Sequence, residues 1–328
     1  MLRLPPYEYH RPETVEEAVG LLDRHGGDAM PVAGGTDLMP NMKHRLFTPG
    51  HLVALKGIRG LRGVERRNGE LVLGAAETLS SVAGHEAVRR HFPSLAEAAG
   101  NVAGPQLRNM GTLGGNLCLD TRCTYYNQTE SWREALGYCL KKDGDVCHVT
   151  KVGTKCVAAH SADTPPVLML LGAVAEVTGP DGEREIPVED FFVADGIWNT
   201  RHEPDEIVTR LRIPIPGDDV RTGYAKLRHR ESIDFPLLTV AVKARLDDEG
   251  RVREIGGVVT ALGARPRVLT GWSEIAEGEV LGDEVVEALA GRAEKQCHPL
   301  ENIIVDPDWR QAMVPVYVAK ALDELRSA

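Results

Sequence analysis

No stretch of this chain approaches the roughly 20 consecutive apolar residues that cross a bilayer, so no membrane span is expected. The first ten residues, Met1 to His10, lack the apolar core of a secretory signal, and the expectation is a cytoplasmic protein. Excess positive charge is missing too. The formal net charge is -10, and a surface of that sign repels a phosphate backbone, which argues against nucleic acid as the main partner. Neither a GxGxxG fingerprint nor a Walker A sequence occurs, which disfavours Rossmann and P-loop readings. There is no low-complexity tract. With 42% hydrophobic residues over 328 positions, the composition is that of a globular protein with room for two or three cores.

Cysteine is scarce but not scattered. Five of the six cysteines lie between Cys118 and Cys156, and four of them, Cys123, Cys139, Cys147 and Cys156, follow the spacing C-x15-C-x7-C-x8-C. Where disulfides are kept reduced, bunched thiols point to a soft bound partner: zinc, copper or an iron–sulfur cluster. Structural zinc sites usually show a C-x2–4-C knuckle, which is absent, and the familiar ferredoxin spacing is absent as well. Spacing alone leaves both chemistries open. Cys118, expected on a core-facing strand after Asn116, and Cys297, near a helix end, read as small buried hydrophobes. His148 and His160 read as loop residues rather than as groups supporting the ligands.

Local patterns organise the rest. Thr14 and Glu17 form a capping box for a helix carrying Val15, Ala18, Val19 and Leu22 on one side, ended by Gly26-Gly27. Pro31-Val32-Ala33 reads as a strand running into Gly34-Gly35-Thr36-Asp37, and His51 to Leu55 as another. Asn68-Gly69 marks a hairpin. Residues 78–103 carry an alanine-rich helical pattern broken near Pro93. A second glycine-rich turn, Gly111 to Asn116, precedes the cysteines. Thr164 to Gly172 reads as a helix, Pro180-Asp181-Gly182 as a hairpin turn, Ile207 to Ile215 as a closing strand, and Pro214 to Asp219 as a linker. From Gly223 the texture changes to paired strands, Phe235 to Leu246 and Val252 to Leu262, then helices over 283–297 and 306–325, a separate α+β unit. Glycines at both turns let backbone amides approach an oxyanion, so both are candidate phosphate nests.

Pro31-Val-Ala-Gly-Gly-Thr-Asp-Leu-Met39 and Arg108-Asn-Met-Gly-Thr-Leu-Gly-Gly-Asn116, with Ser161-Ala-Asp163 and Ala225-Lys226-Leu-Arg-His-Arg-Glu231 downstream, resemble the FAD-binding medium subunit of the molybdenum hydroxylases, the xanthine dehydrogenase and carbon monoxide dehydrogenase family. The resemblance runs over essentially the whole chain. It implies an α+β protein: a two-lobed FAD-binding fold of the vanillyl-alcohol oxidase (PCMH) type over 1–56 and 57–217, then a C-terminal α+β domain of the CO dehydrogenase flavoprotein type over 218–328. The amides of Val32, Ala33, Gly34, Gly35, Thr36 and Asp37 would hold the FAD pyrophosphate. Thr112, Gly115 and Asn116 would form a second phosphate and ribityl wall. Asp163 would accept from a cofactor hydroxyl or amino group, and Lys226 would donate to the isoalloxazine end. Without that resemblance, Lys226 reads as a solvated strand lysine and Asp163 as the start of the following helix.

Asn116 and Asp163 are 47 positions apart, far more than in ordinary members, and the four spaced cysteines fall in this insert, about 118–158. The variant of the family with such an insert is the flavin subunit of 4-hydroxybenzoyl-CoA reductase, which Asp120-Thr-Arg-Cys-Thr-Tyr-Tyr126 and Cys156-Val-Ala-Ala-His160 resemble. That resemblance implies a [4Fe-4S] cluster on Cys123, Cys139, Cys147 and Cys156. It implies as partners a molybdenum-cofactor large subunit and a small subunit with two [2Fe-2S] clusters, in a dimer of heterotrimers. Electrons would come from ferredoxin and end in reductive removal of the para-hydroxyl to give benzoyl-CoA, with the organic substrate bound on the molybdenum subunit. A xanthine- or aldehyde-type hydroxylase whose flavin passes electrons outward to NAD or a quinone stays open beside it, as do a stand-alone flavoprotein oxidase and a zinc-stabilised binding module.

Overall fold

The computed structural model describes residues 2–327. Three sheets carry the fold. The first is parallel, in the order β1-β3-β2, built from β1 (Glu8–His10), β2 (Ala29–Val32) and β3 (His51–Ala54). Parallel strands need a crossover, and the helix Val15–His25 supplies it from β1 to β2, which lie on opposite sides of β3. Thr14 starts that helix by accepting the Glu17 amide at 3.2 Å, Gly26 ends it, and Ala18, Val19 and Leu22 bury its apolar side.

The second sheet is antiparallel, order β4-β5-β8-β6-β7, with β4 (Val64–Arg67), β5 (Glu70–Gly74), β6 (Val174–Gly179), β7 (Gly182–Pro187) and β8 (Ile207–Pro214). Both φ angles at the Asn68-Gly69 turn are positive, 51° and 81°, as a type I′ hairpin requires. The alanine-rich pattern forms three helices, Leu79–Gly84, Glu86–His91 and Pro93–Gly100, because His85 and Phe92 leave helical geometry as well as the chain bending at Pro93. These helices pack Leu79, Val82, Val88, Phe92 and Leu95 with Leu71, Leu73 and Leu211 of the sheet in one core.

The third sheet, order β12-β11-β10-β9, uses β9 (Val220–Leu227), β10 (Leu238–Leu246), β11 (Val252–Thr260) and β12 (Arg267–Leu269). The helices Asp283–Glu294 and Pro307–Ser327 cover it, burying Leu289, Val314, Val318 and Leu322 against Val240 and Val242. Tyr224 of β9 and Ala241 of β10 instead join the core of the second sheet, so the two bodies share apolar surface.

Residues 118–158 form little regular structure, with one helix, Glu130–Leu136. Cys118 is not on a strand as its sequence suggested. It closes the short helix Leu113–Leu117, half-buried against the second-sheet core, where burial pushes its thiol up to about 12.

Candidate functional site

The first glycine turn leaves β2 at Val32 and enters the helix Leu38–Lys43. Among the described residues, the amides of Ala33, Gly34, Gly35, Thr36 and Asp37 find no acceptor in the chain. Five successive N–H groups without an acceptor, with Gly35 at φ +69° turning the backbone, are the kind of unspent donors from which anion nests are made. The Asp37 carboxylate does not compete for them, because it pairs with Arg122 and accepts from Asn41 Nδ2 at 3.1 Å.

The two glycine turns press on one another. A Cβ on Gly34 would lie 2.1 Å from the Met110 carbonyl oxygen, and one on Gly111 would lie 3.3 Å from Thr36 Oγ1. At Gly34 only glycine permits that approach, while at Gly111 a side chain would be a tight fit. The second turn differs from the nest its sequence suggested. It is the start of a helix whose amides are engaged: Leu113 donates to Glu77, Gly114 to Ala75, Gly115 to Thr112 Oγ1 at 3.1 Å and Asn116 to the Thr112 carbonyl. Asn116 Oδ1 accepts from both the amide and the hydroxyl of Thr164, at 3.1 and 2.7 Å. Thr112, Gly115 and Asn116 therefore build a rigid wall rather than a second cradle.

Asp163 and Lys226 meet. Lys226 Nζ lies 2.9 Å from Asp163 Oδ1 and 3.0 Å from Oδ2, and donates also to the Asn101 carbonyl at 2.9 Å. The Tyr224 hydroxyl donates to Asp163 Oδ1 at 2.8 Å. Both side chains are buried, and the pair ties β9 to the second-sheet body. Burial raises the Asp163 carboxyl, opposed by Lys226, while burial lowers the Lys226 ammonium, opposed by Asp163.

The insert gathers Cys123, Cys139, Cys147 and Cys156 around one pocket, with Tyr125, Tyr126, Leu140, Lys141, His148, Val149, Val157 and Ala158 in its walls. All four thiols are buried. Burial pushes Cys123 and Cys156 up to about 11, so each stays protonated at neutral pH unless a cation takes its proton's place. Cys147 moves the other way: burial opposes the shift, but the Thr150 hydroxyl and amide and the Val149 amide outweigh it. The loops are tightly wound. Tyr138, Asp143 and Lys151 all sit at positive φ without being glycine, a local cost that clusters at functional sites. The ring nitrogen His148 Nε2 sits 2.5 Å from the Tyr138 carbonyl, and the ring lies beside Tyr125, so it braces the loops.

This pocket adjoins the first glycine turn. Leu46 and Phe47, just past the helix Leu38–Lys43, pack with Cys123, Cys139 and Cys156. Arg122, immediately before the first of these cysteines, pairs with Asp37 and Asn41 and lies 4.6 Å over the Phe235 ring. Arg133 is fully buried and donates to the His44 and Arg45 carbonyls at 3.0 and 3.1 Å. On the other side, Thr124 donates to the Asn302 carbonyl at 2.8 Å and Asn302 Nδ2 to the Val157 carbonyl at 2.7 Å. Sequence reading missed Arg122, Arg133 and Asn302. An arginine on a short polar helix carries no mark that it will be buried, and Asn302 is far away in the chain. His160 is likewise more than a loop residue: it is completely buried, neither ring nitrogen has a partner among the described residues, and burial pushes it down to about 3.

Comparison with known proteins agrees with this architecture. Residues 5–216 match the profile of the FAD binding domain in molybdopterin dehydrogenase, and residues 223–325 that of the CO dehydrogenase flavoprotein C-terminal domain. The carbon monoxide dehydrogenase medium chain of Hydrogenophaga pseudoflava is 30% identical over 97% of this chain and 96% of that protein. The aldehyde oxidoreductase FAD-binding subunit of Escherichia coli K12 is 35% identical over 77% of this chain and 81% of its own length. A solved carbon monoxide dehydrogenase from Hydrogenophaga pseudoflava, which lacks the Mo-pyranopterin moiety of its molybdenum cofactor, superposes with a TM-score of 0.81 over 99% of both chains at 28% identity. The two-lobed α+β flavin fold with an added C-terminal domain is therefore the fold observed. The chain belongs to the FAD-binding medium subunits of the molybdenum hydroxylase family, and is an oxidoreductase subunit.

Proposed function

We propose that this subunit carries an iron–sulfur cluster of the [4Fe-4S] kind on Cys123, Cys139, Cys147 and Cys156 beside its FAD, and that it works in a reductase of the 4-hydroxybenzoyl-CoA type. One observation carries the reading: four buried thiols converge in an insert that is bonded, through Arg122, to the glycine turn with five free amides. Among the described residues, only His10, His25 and His51 bring three ligand atoms within 4.8 Å of one another, so no three of these sulfurs are that close. A tetrahedral zinc holds its sulfurs about 3.8 Å apart. Wider spacing suits a larger, many-atom cluster.

Bound FAD and a bound cluster together supply exchange between one-electron and two-electron chemistry. The protein's own part is to bind, orient and exclude water. The amides of residues 33–37 would hold the pyrophosphate, against the wall of Thr112, Gly115 and Asn116, whereas Val32 belongs to the β2–β3 pair. The Asp163–Lys226 pair would present its remaining hydrogen-bonding capacity toward the ring end. The Ala158 amide donates to Cys156 Sγ at 3.4 Å, and backbone amides near Cys123 and Cys147 favour their thiolates, so these groups would stabilise negative charge on the sulfurs.

In this reading a molybdenum-cofactor large subunit binds the aromatic thioester and a small subunit with two [2Fe-2S] clusters connects it to the flavin, in a dimer of such trimers. Reduced ferredoxin supplies electrons at the insert. The names of the relatives, CO dehydrogenase and aldehyde oxidoreductase, favour a second reading, in which the flavin passes electrons outward to NAD or a quinone. Stopped-flow reduction of the assembled complex separates them. Reduced ferredoxin should bleach the flavin of the native complex much faster than that of the Cys139→Ser, Cys147→Ser variant. Equal rates, or fast flavin reoxidation by NAD alone, would count against the reductase.

A further inference from the structure

We propose that His10, His25 and His51 form a binding site for a borderline divalent ion of the zinc class on the first lobe, separate from the cysteine pocket and the glycine turns. Three elements bring the rings together: His10 ends β1, His25 ends the helix Val15–His25, and His51 opens β3. One ring nitrogen from each lies within 4.8 Å of the other two. His10 Nε2 is 2.9 Å from His51 Nδ1, and the His25 ring stacks on His51 with centroids 3.7 Å apart.

The clustering follows from the pairing of the strands. Glu8 is in register with His51 across the parallel β1–β3 pair, and His10 lies two residues beyond Glu8, so all three project from one face. Tetrahedral zinc with nitrogen ligands at about 2.05 Å sets those nitrogens about 3.4 Å apart, inside the 4.8 Å that already encloses one nitrogen of each ring, and the stacked His25 ring would turn to aim its nitrogen at the ion. Glu8 lies beside two of the three: its carboxylate oxygens are 3.6 Å from His51 Nδ1 and 3.9 Å from His10 Nδ1. A carboxylate there either closes the coordination sphere or accepts from the outer ring nitrogen of a ligating histidine, as metal-bound histidines commonly require. Three imidazoles and a single carboxylate select zinc, nickel or copper over magnesium or calcium, which need mostly oxygen. All three histidines are half-buried, which leaves an approach from solvent.

An ion at this place would cross-link β1, the helix and β3. β2 begins four residues after His25, pairs with β3 and leads directly into the turn at 33–37. The site would thus stiffen the sheet that carries the turn with the free amides.

The test is a zinc titration of the purified FAD-loaded protein against a chromogenic competitor, with Cu2+ as a spectroscopic probe. Native protein should take up a single tight zinc, and its Cu2+ paramagnetic resonance spectrum should show splitting from several nitrogens. His51→Ala and, separately, His25→Asn should weaken zinc roughly 100-fold and remove that splitting while flavin absorbance and helical circular dichroism are unchanged. The Cys139→Ser, Cys147→Ser variant should keep the site. Zinc affinity unaltered by His51→Ala, or a native copper spectrum without nitrogen splitting, would overturn the proposal, and the copper result does not depend on any variant folding.

Discussion

Arg122 is ion-paired with Asp37, and this joins the start of the cysteine loops to the end of the first glycine turn. The same guanidinium reaches Asn41 at 3.3 Å and covers the Phe235 ring, so it contacts three parts of the fold at once. Burial lowers it to about 10, still charged at neutral pH. The insert is therefore bonded to the first glycine turn through a side chain, not merely adjacent to it.

Replacing Arg122 by Gln should cost about 1–3 kcal/mol of stability, since it removes one partner of a part-buried ion pair and a cation–π contact. If the amides of residues 33–37 hold the FAD pyrophosphate as proposed, it should also loosen the flavin, because Asp37 then becomes free to turn its charge toward them. Flavin retained through gel filtration and the denaturation midpoint measure both effects. Full retention at native stability would mean that the insert and the turn are independent.

Asp163 and Lys226 form a buried pair across the boundary between the second sheet and β9. Asp163→Asn or Lys226→Met alone should destabilise by about 3–5 kcal/mol, because each leaves a charge buried without its counter-charge. The double variant should lose less than the sum. A double-mutant cycle in denaturant reads the coupling, and additive losses would show that the two charges do not support each other.

His160 is neutral in the fold because burial pushes it down to about 3. A histidine with a depressed folded value favours the folded state above its unfolded value of about 6.5 and loses that advantage as pH falls toward 3. Between pH 6.5 and 5 the loss should be about 2 kcal/mol. His160→Leu should flatten this limb in denaturation midpoints measured at pH 7, 6 and 5. An unaltered slope would assign the acid sensitivity to other groups.

Much of this was legible in the residues. The Thr14–Glu17 cap, the Asn68-Gly69 hairpin and the strand leading into Gly34-Gly35 are local signals, and local chemistry decides them. The four cysteines that converge were also marked, because they share one insert. What the sequence hid depends on contacts between distant segments. Arg133 caps carbonyls of His44 and Arg45, Asn302 holds Val157, and Lys226 finds Asp163, all across long stretches of chain. The second glycine turn misled for a related reason: its amides are engaged by Glu77 and Ala75, partners that only the tertiary fold supplies. Histidines 10, 25 and 51 carried no spacing that announced their meeting, since a parallel sheet joins them.

A cluster in the cysteine pocket is tested most directly by iron, zinc and acid-labile sulfide in anaerobically purified protein, alongside its visible spectrum. The expected result is about four irons and four sulfides per chain, with flavin bands over a broad absorption that dithionite bleaches, and with iron and sulfide lost but flavin retained in Cys139→Ser, Cys147→Ser. Zinc in the cysteine pocket with no sulfide would contradict it.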